Sequence, residues 1–513
     1  MKDKTGTVCL VGAGPGDEEL ITLRGSRILA EAEVLLYDRL ASPRLLSGVP
    51  EGCEKIFVGK REGNHSASQE EINALLVKKA KEGKRVVRLK GGDSFVFGRG
   101  GEEILALEEE NIPYQVVPGI TSAIAALETA GIPVTHRMEA RSFHVITGHT
   151  ALENEKERFL QYGKLEGTLI FLMGVGNLPE IVKQLLKGGK SPDTPAAIVE
   201  QGTCIRQRRI DGVLGNIEEK AEEWGVKPPA VLAVGQAAAC HMISENLPLS
   251  GRRIGVTGTA AMTGKLEKGL KDMGALVYSA PYLKIMPTET LKKRRPDWKS
   301  FSWLVFTSAN GVNQFFCQIK EMNLDIRALS HLKYAVIGRG TADALWQYGI
   351  RADYMPLCYT VEELAKGLAK ELLKEDRVLV LRAKEASGDI HKIWQEQEVT
   401  YEDLGIYETA VDEDMAGQLW QQADILDTIT FASASGVKAF FSAGKNCSEG
   451  EEGGYGQKEG NALPGTMICI GQKTEETLKE YVPAALWGRI KTAAEYTVTG
   501  LIQACAETMP AKR

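Results

Sequence analysis

Short apolar runs of strand length recur along the chain and alternate with helical patterns. In the first half these are TVCLVGAG (7–14), RVVRLKGGD (85–93), TLIFLMGVG (168–176) and AVLAVGQ (230–236). Strands alternating with helices predict an α/β architecture with largely parallel sheets. Several runs end directly in glycine, where the backbone must turn tightly or lie against a ligand. A break falls at NLPLSG (246–251), which has linker composition, and a new strand–turn starts at RRIGVTG (252–258). The expected domains are 1–246 and 251–513.

The second half repeats itself. WLVFTSANGVNQFF (303–316) matches TITFASASGVKAFF (428–441), with Thr307 and Ala432 125 positions apart. YAVIGRGTADAL (334–345) matches MICIGQKTEETL (467–478), with Gly338 and Gly471 133 apart. YTVEELAKGL (359–368) matches YTVTGLIQA (496–504). The eight additional residues fit a polar, Gly-rich insert at 444–461, expected as a loop. Two similar units predict two similar lobes with a cleft between them, a favoured place for a ligand.

At roughly 100–200 residues per domain, 513 residues suggest about three domains. Hydrophobic residues at 43% and charged residues at 25% exclude disorder as the main state. Lys plus Arg is 62 against 68 Asp plus Glu, a net charge of -6, and neither half is basic. Nucleic acid as the main partner is therefore not expected. No apolar run reaches the roughly 18 residues that span a bilayer, and the N-terminal stretch has no signal-peptide pattern. The nine cysteines form no CxxC pair, which argues for reduced thiols, a cytoplasmic setting and no zinc or iron–sulfur site.

VGAGPGDEELITLRG (11–25) is a glycine-rich turn between strand and helix. It is neither GxGxxG nor a P-loop, so a structural turn and a cofactor loop both fit it. GGDSFVFGRGGEE (91–103) leaves bare backbone at a strand end, with Asp93 able to accept hydrogen bonds from hydroxyls or an amine. VPGITSAIAAL (117–127) is a strand end, a Pro-Gly turn and a helix start where Thr121 and Ser122 can cap or bind. LMGVGNL (172–178) and EQGTCIRQRR (200–209) repeat the glycine-after-strand theme. Four such loops suggest a cofactor laid across the sheet edge. Asp38 and Lys60 each follow a strand-like run; they suit a base and an acid, or an ordinary salt bridge.

Together GAGPGD, YDRL, VGKR with QEEIN, RLKGGDSFVFGRGGEE, VPGITSA and QGT resemble uroporphyrinogen-III C-methyltransferase over about residues 5–245. The resemblance implies a two-lobed tetrapyrrole-methylase fold. It implies transfer of two methyl groups from S-adenosyl-L-methionine to uroporphyrinogen III, giving precorrin-2. Carried over by motif, the cofactor contacts are Pro15, Gly91, Gly92, Asp93, Val96, Thr121, Ser122, Met173 and Gly202. Asp38 corresponds to the proton acceptor and Lys60 to the proton donor. Ser94 stands where the family usually has Pro, and Leu172 where it often has Tyr; these bear on loop rigidity and cofactor affinity. The substrate has eight carboxylates, so cations should line its trough; the candidates are Lys60, Arg61, Arg99, Arg137, Arg141 and Arg206.

In the second half, Thr307, Ser308, Asn310, Ser433 and Ser435 sit at strand-to-helix turns, where hydroxyls and helix N-terminal amides bind carboxylates or merely cap helices. RRIGVTG, VFTSANGV, VIGRGTADAL, LRAKEASGDI, IYET, TFASASGV, CIGQKTEETL and YTVTGLI resemble uroporphyrinogen-III synthase over about 251–513. That family is bilobal α/β, needs no cofactor, and closes hydroxymethylbilane with inversion of ring D. Tyr407 matches its active-site tyrosine and Thr474 a threonine near its cleft. The combined expectation is a bifunctional enzyme of the sirohaem or cobalamin branch, acting on small tetrapyrroles and dimerising through the methyltransferase half. The alternative is a methyltransferase whose second half binds tetrapyrrole without catalysis.

Overall fold

A strand buried on both faces must be apolar at every position, because successive side chains point to opposite sides. In β1 (Thr7–Gly12), Val8 and Leu10 enter one core while Cys9 and Val11 enter the other. The computed structural model describes residues 5–59, 67–149, 156–385, 389–449 and 463–508. The chain divides into two units, Met1–Ser244 and Glu245–Arg513. NLPLSG is no free linker: Leu249 is fully buried in the second unit's core, and its N–H donates to the Met273 carbonyl.

The first unit has two lobes. Its first sheet contains β1, β2 (Val34–Tyr37), β3 (Glu54–Phe57), β4 (Arg85–Lys90) and β5 (Tyr114–Val117) in the order β3-β2-β4-β1-β5, all parallel. Its second sheet contains β6 (Phe143–Thr147), β7 (Thr168–Leu172), β8 (Pro195–Glu200), β9 (Arg208–Val213) and β10 (Ala230–Val234) in the order β6-β7-β10-β8-β9. There β6 runs parallel to β7, while β7 and β8 both lie antiparallel to β10. The carboxyl ends of β6, β7 and β8 therefore share one edge.

Among the described residues the second unit is built on a nine-stranded sheet. Its strands are β11 (Arg253–Thr259), β12 (Leu276–Pro287), β13 (Trp303–Phe306), β14 (Lys333–Val336), β15 (Val378–Ala383), β16 (Tyr401–Val411), β17 (Thr428–Phe431), β18 (Thr466–Cys469) and β19 (Ile490–Thr492). They lie in the order β14-β13-β15-β16-β12-β11-β17-β18-β19. Every pair is parallel except β12 with β16, which join antiparallel at Leu283–Pro287 and Tyr407–Val411. Two parallel half-sheets thus point their carboxyl edges at each other across two long shared strands.

The structure extends the repeat. Arg253 pairs with Leu276, and Val378, 125 positions after Arg253, pairs with Tyr401. Trp303 pairs with Lys333, and Thr428 with Thr466. The first copy is β11–β14 and the second β15–β18, but the halves are exchanged. β11 and β12 share a lobe with β17 and β18, and β13 and β14 with β15 and β16. The expected loop at 444–461 is partly helical, because the helix Ala434–Glu449 continues into it; residues 450–461 lie outside the described residues.

Candidate functional sites at the strand carboxyl ends

In the first unit, three loops after β1, β4 and β5 meet backbone to backbone. Gly14 and Gly92 exchange N–H···O bonds of 3.2 and 2.7 Å. A Cβ at Gly12 would lie 2.5 Å from Gly119 Cα, and one at Gly119 would lie 2.2 Å from the Gly92 carbonyl. At Gly92 the opposite holds: φ is +67° and a Cβ would find nothing nearer than 3.9 Å. The result is a closed floor with bare backbone on top, the kind of cradle that a flat ligand can approach. Asp93 ties it together, its Oδ1 accepting from Phe95 N at 2.8 Å and its Oδ2 from Gly119 N at 2.9 Å.

Pro15, Gly91, Gly92, Asp93, Thr121 and Ser122 all lie on these loops. Thr121 caps the helix Ser122–Thr129 through Ala123 N, and Val96 packs against that helix's core. The second lobe brings its own carboxyl edge here. Asp17 N donates to Thr203 Oγ1 at 3.0 Å, and a Cβ at Gly202 would collide with Ala126. Met173, directly after β7, has φ +55° and is 55% exposed, whereas Leu172 turns into the core. Ser94 is buried, and its hydroxyl has no hydrogen-bond partner among the described residues. Bare backbone, hydroxyls, a carboxylate and an exposed thioether fit an adenosine-bearing sulfonium in chemistry and access.

Asp38 follows β2. Its Oδ1 accepts from Leu40 N at 3.0 Å, and its Oδ2 stands 3.5 Å from Arg88 Nη2. Behind it lies a buried charge network that motif reading passed over. Glu103 is fully buried; its Oε1 accepts from Arg88 Nε at 3.1 Å and from Lys90 Nζ at 2.7 Å. Its Oε2 has no hydrogen-bond partner among the described residues. Burial and the neighbouring Arg88 push the Lys90 ammonium below its ordinary pKa. The signal was in RVVRLK: Val86, Arg88 and Lys90 share one face, and charges at strand period on a buried face need a counter-charge. Of the carboxylate-binding candidates, Arg99 pairs with Glu102, and Arg137 and Arg141 are exposed. Lys60 and Arg61 lie outside the described residues.

In the second unit, Ser308 and Ser433 cap equivalent helices through Gly311 N and Gly436 N at 3.0 and 3.1 Å. Ser308 also shares a 2.8 Å hydrogen bond with the Tyr407 phenol, and Ser433 one of 3.0 Å with Ser435. Burial raises the Tyr407 pKa, so the phenol stays protonated at neutral pH. Tyr282, 125 positions earlier, is its counterpart in the other lobe. It is fully buried and donates to the Gly436 carbonyl at 2.7 Å. The duplication gave both lobes this tyrosine, but Tyr282 bonds the Gly436 carbonyl and lies beside the Thr257 hydroxyl, whereas Tyr407 meets the Ser308 hydroxyl that caps the facing helix. Thr307 is half-buried at the end of β13, and Thr474, like its repeat partner Thr341, is buried within a first helical turn. A further cluster joins Arg382 to Asp403, with His391 2.8 Å from Asp403 and 2.6 Å from the Tyr401 phenol.

No helix among the described residues is long and apolar enough to cross a membrane. The family model described as Tetrapyrrole (Corrin/Porphyrin) Methylases matches residues 7–218, and that of Uroporphyrinogen-III synthase HemD matches 264–503. A porphyrin biosynthesis protein HemD of Ruminiclostridium josui is 38% identical over 488 residues, 93% of this chain and 94% of its own. A uroporphyrinogen-III C-methyltransferase of Methanocaldococcus jannaschii is 58% identical over 45% of this chain and 96% of its own. An S-adenosyl-L-methionine-dependent uroporphyrinogen III methyltransferase of Methanosarcina barkeri is 50% identical over 47% of this chain and 96% of its own. The chain belongs to the family of fused tetrapyrrole-biosynthesis enzymes in which a uroporphyrinogen-III C-methyltransferase precedes a uroporphyrinogen-III synthase on one polypeptide.

Proposed function

We propose that the two units act in sequence on one tetrapyrrole, each through the side chains at its strand carboxyl ends. The second unit closes hydroxymethylbilane to uroporphyrinogen III, and the first methylates that product twice, giving precorrin-2. The observation that carries the residue assignment is the Tyr407–Ser308 hydrogen bond, set where the two half-sheets point at each other. Tyr407 donates its proton to the departing hydroxyl, which leaves as water, and Ser308 holds the phenol in line. Ser433, Ser435 and Thr307 with neighbouring helix N-terminal amides are the proposed carboxylate contacts, while Thr474, buried in its helical turn, supports the Gly471 helix start.

In the first unit, Pro15, Gly91, Gly92, Asp93, Val96, Thr121, Ser122, Met173 and Gly202 are the proposed holders of S-adenosyl-L-methionine. When bound, it supplies a methyl group that is already activated. Asp38, oriented by Arg88, accepts the proton that the tetrapyrrole loses after methylation, and Lys60 is the proposed donor. We further propose a cytoplasmic homodimer joined through this unit. The free thiols among the described residues fit a reducing compartment, and Leu23 and Met138 leave apolar surface exposed for a second copy.

The test is mass spectrometry of products from hydroxymethylbilane with and without S-adenosyl-L-methionine. Type III macrocycle without the methyl donor, and a doubly methylated product with it, are expected. Only the type I macrocycle in the first incubation would instead assign the second unit a non-catalytic binding role.

A further inference from the structure

The repeat carries a second pair of aromatic residues that the ring-closing chemistry does not use. Tyr359 and Tyr496 open the matching segments YTVEELAKGL and YTVTGLI. In each, the next threonine caps a helix: Thr360 accepts from Glu363 N at 3.1 Å, and Thr497 from Gly500 N at 2.9 Å. That fixes the tyrosine just ahead of the helix, and its ring lies on a glycine. A Cβ at Gly338 would stand 2.8 Å from Tyr359 Cγ, and one at Gly471 2.5 Å from Tyr496 Cδ2. Both glycines have extended backbone, φ −176° and −170°. Any residue adopts that conformation, so it is the ring, not the backbone, that requires glycine.

Gly338 follows β14 and Gly471 follows β18, each at a carboxyl edge. They flank the crossing pair β16 and β12 on opposite sides, each three strands away, on carboxyl edges that point at each other. The rings are held but not covered: Tyr359 is 46% and Tyr496 64% exposed. Next to each, the first turn of the following helix carries an exposed cation, Arg339 in one lobe and Lys473 in the other. Neither forms an ion pair among the described residues, and neither helix has a side-chain cap at its glycine. The helix dipole disfavours a cation there and favours an anion. Each lobe thus presents a seated aromatic face, a cation one or two residues past the glycine, and a helix start without a side-chain cap. That set complements a ligand with flat electron-rich rings and carboxylate arms.

We propose that Tyr359 and Tyr496 are paired plates, one per lobe, which stack on outer pyrrole rings of the tetrapyrrole while Arg339 and Lys473 take its carboxylates. This rests on the synthase reading of the second unit. The plates hold the ends of the chain in register for closure and take no part in proton transfer.

The test uses the full-length protein with Tyr359→Leu, Tyr496→Leu, the double variant, the two Tyr→Phe controls, and Arg339→Gln with Lys473→Gln. Initial rates of type III formation from hydroxymethylbilane give KM and kcat. Each Leu variant should raise KM about three- to tenfold with kcat little changed, and the double variant more. The Phe controls should match the parent, and the Gln variants should raise KM and weaken its dependence on salt. Unchanged KM in the Leu variants, or equal loss in the Phe controls, overturns the stacking role. Should the Leu variants fold poorly, the exposed Gln variants decide, and an unchanged KM there overturns the proposal. A parent protein that yields only the type I macrocycle would defeat the synthase reading itself, a result distinct from any of these.

Discussion

Replacing Glu103 by Gln removes one negative charge from a site that solvent does not reach. Its Oε1 stands 3.1 Å from Arg88 Nε and 2.7 Å from Lys90 Nζ, and both cations are nearly buried themselves. At an effective dielectric of about 20, each contact is worth roughly 5–6 kcal/mol before desolvation is subtracted. Desolvation consumes much of that, but it is not recovered when only one partner is removed. The expected net loss is about 3–5 kcal/mol, the usual cost of stranding a buried charge. For a unit of this size, that lowers the melting midpoint by roughly 6–20 °C. Glu103→Gln should also slow methylation, because Arg88 loses the anchor that aims it at Asp38. The assay is urea unfolding of the full-length chain, with a double-mutant cycle through Lys90→Met. The double variant leaves Arg88 facing Asp38 with charges balanced, so it should be more stable than Glu103→Gln alone. A single-variant loss below about 1 kcal/mol, or strictly additive effects, would refute the picture of a charge-balanced buried network.

Asp38→Asn should keep S-adenosyl-L-methionine binding by calorimetry yet lose turnover; equal loss of binding would contradict the proton-acceptor role. Tyr407→Phe should slow type III formation at least tenfold, an order-of-magnitude expectation for loss of a positioned proton donor. Methylation of supplied uroporphyrinogen III should be untouched, and a parallel fall in it would contradict the division of labour. Lys90 gives up its proton more readily in the folded than in the unfolded chain. Between those two pKa values the unfolded chain binds more protons, so through this group stability rises with pH. Lys90→Met should remove that alkaline contribution, seen as a flatter slope of unfolding free energy against pH; an unchanged slope would show that Lys90 is not depressed.

The strand–glycine motifs marked the loops of the first site because bare backbone at a strand end leaves a direct trace in composition. Gly12, Gly92 and Gly119 were present in that pattern, but their separate tasks were not. Two let backbones touch, and one leaves an open face. Asp93 read as a ligand acceptor; in the fold its carboxylate accepts from the backbone of two loops. Ser308 and Ser433 read alike in sequence and cap helices alike, yet only Ser308 meets a tyrosine hydroxyl.

The sequence by itself determined the α/β class, the two families in order, and the duplication of the second half, because these depend on local patterning and on motifs contiguous in the chain. The tertiary structure decided what depends on residues far apart meeting in space. It set Glu103 against Arg88 and Lys90 across a strand and a helix. It exchanged the halves of the repeat, so that β16 of the second copy lies in the same lobe as β13 of the first. That exchange is what brings Tyr407 to Ser308, 99 residues earlier. It leaves the matching Tyr282, buried as Tyr407 is, bonded to the Gly436 carbonyl. Copies that are equivalent along the chain become inequivalent once packing sets which group each phenol meets.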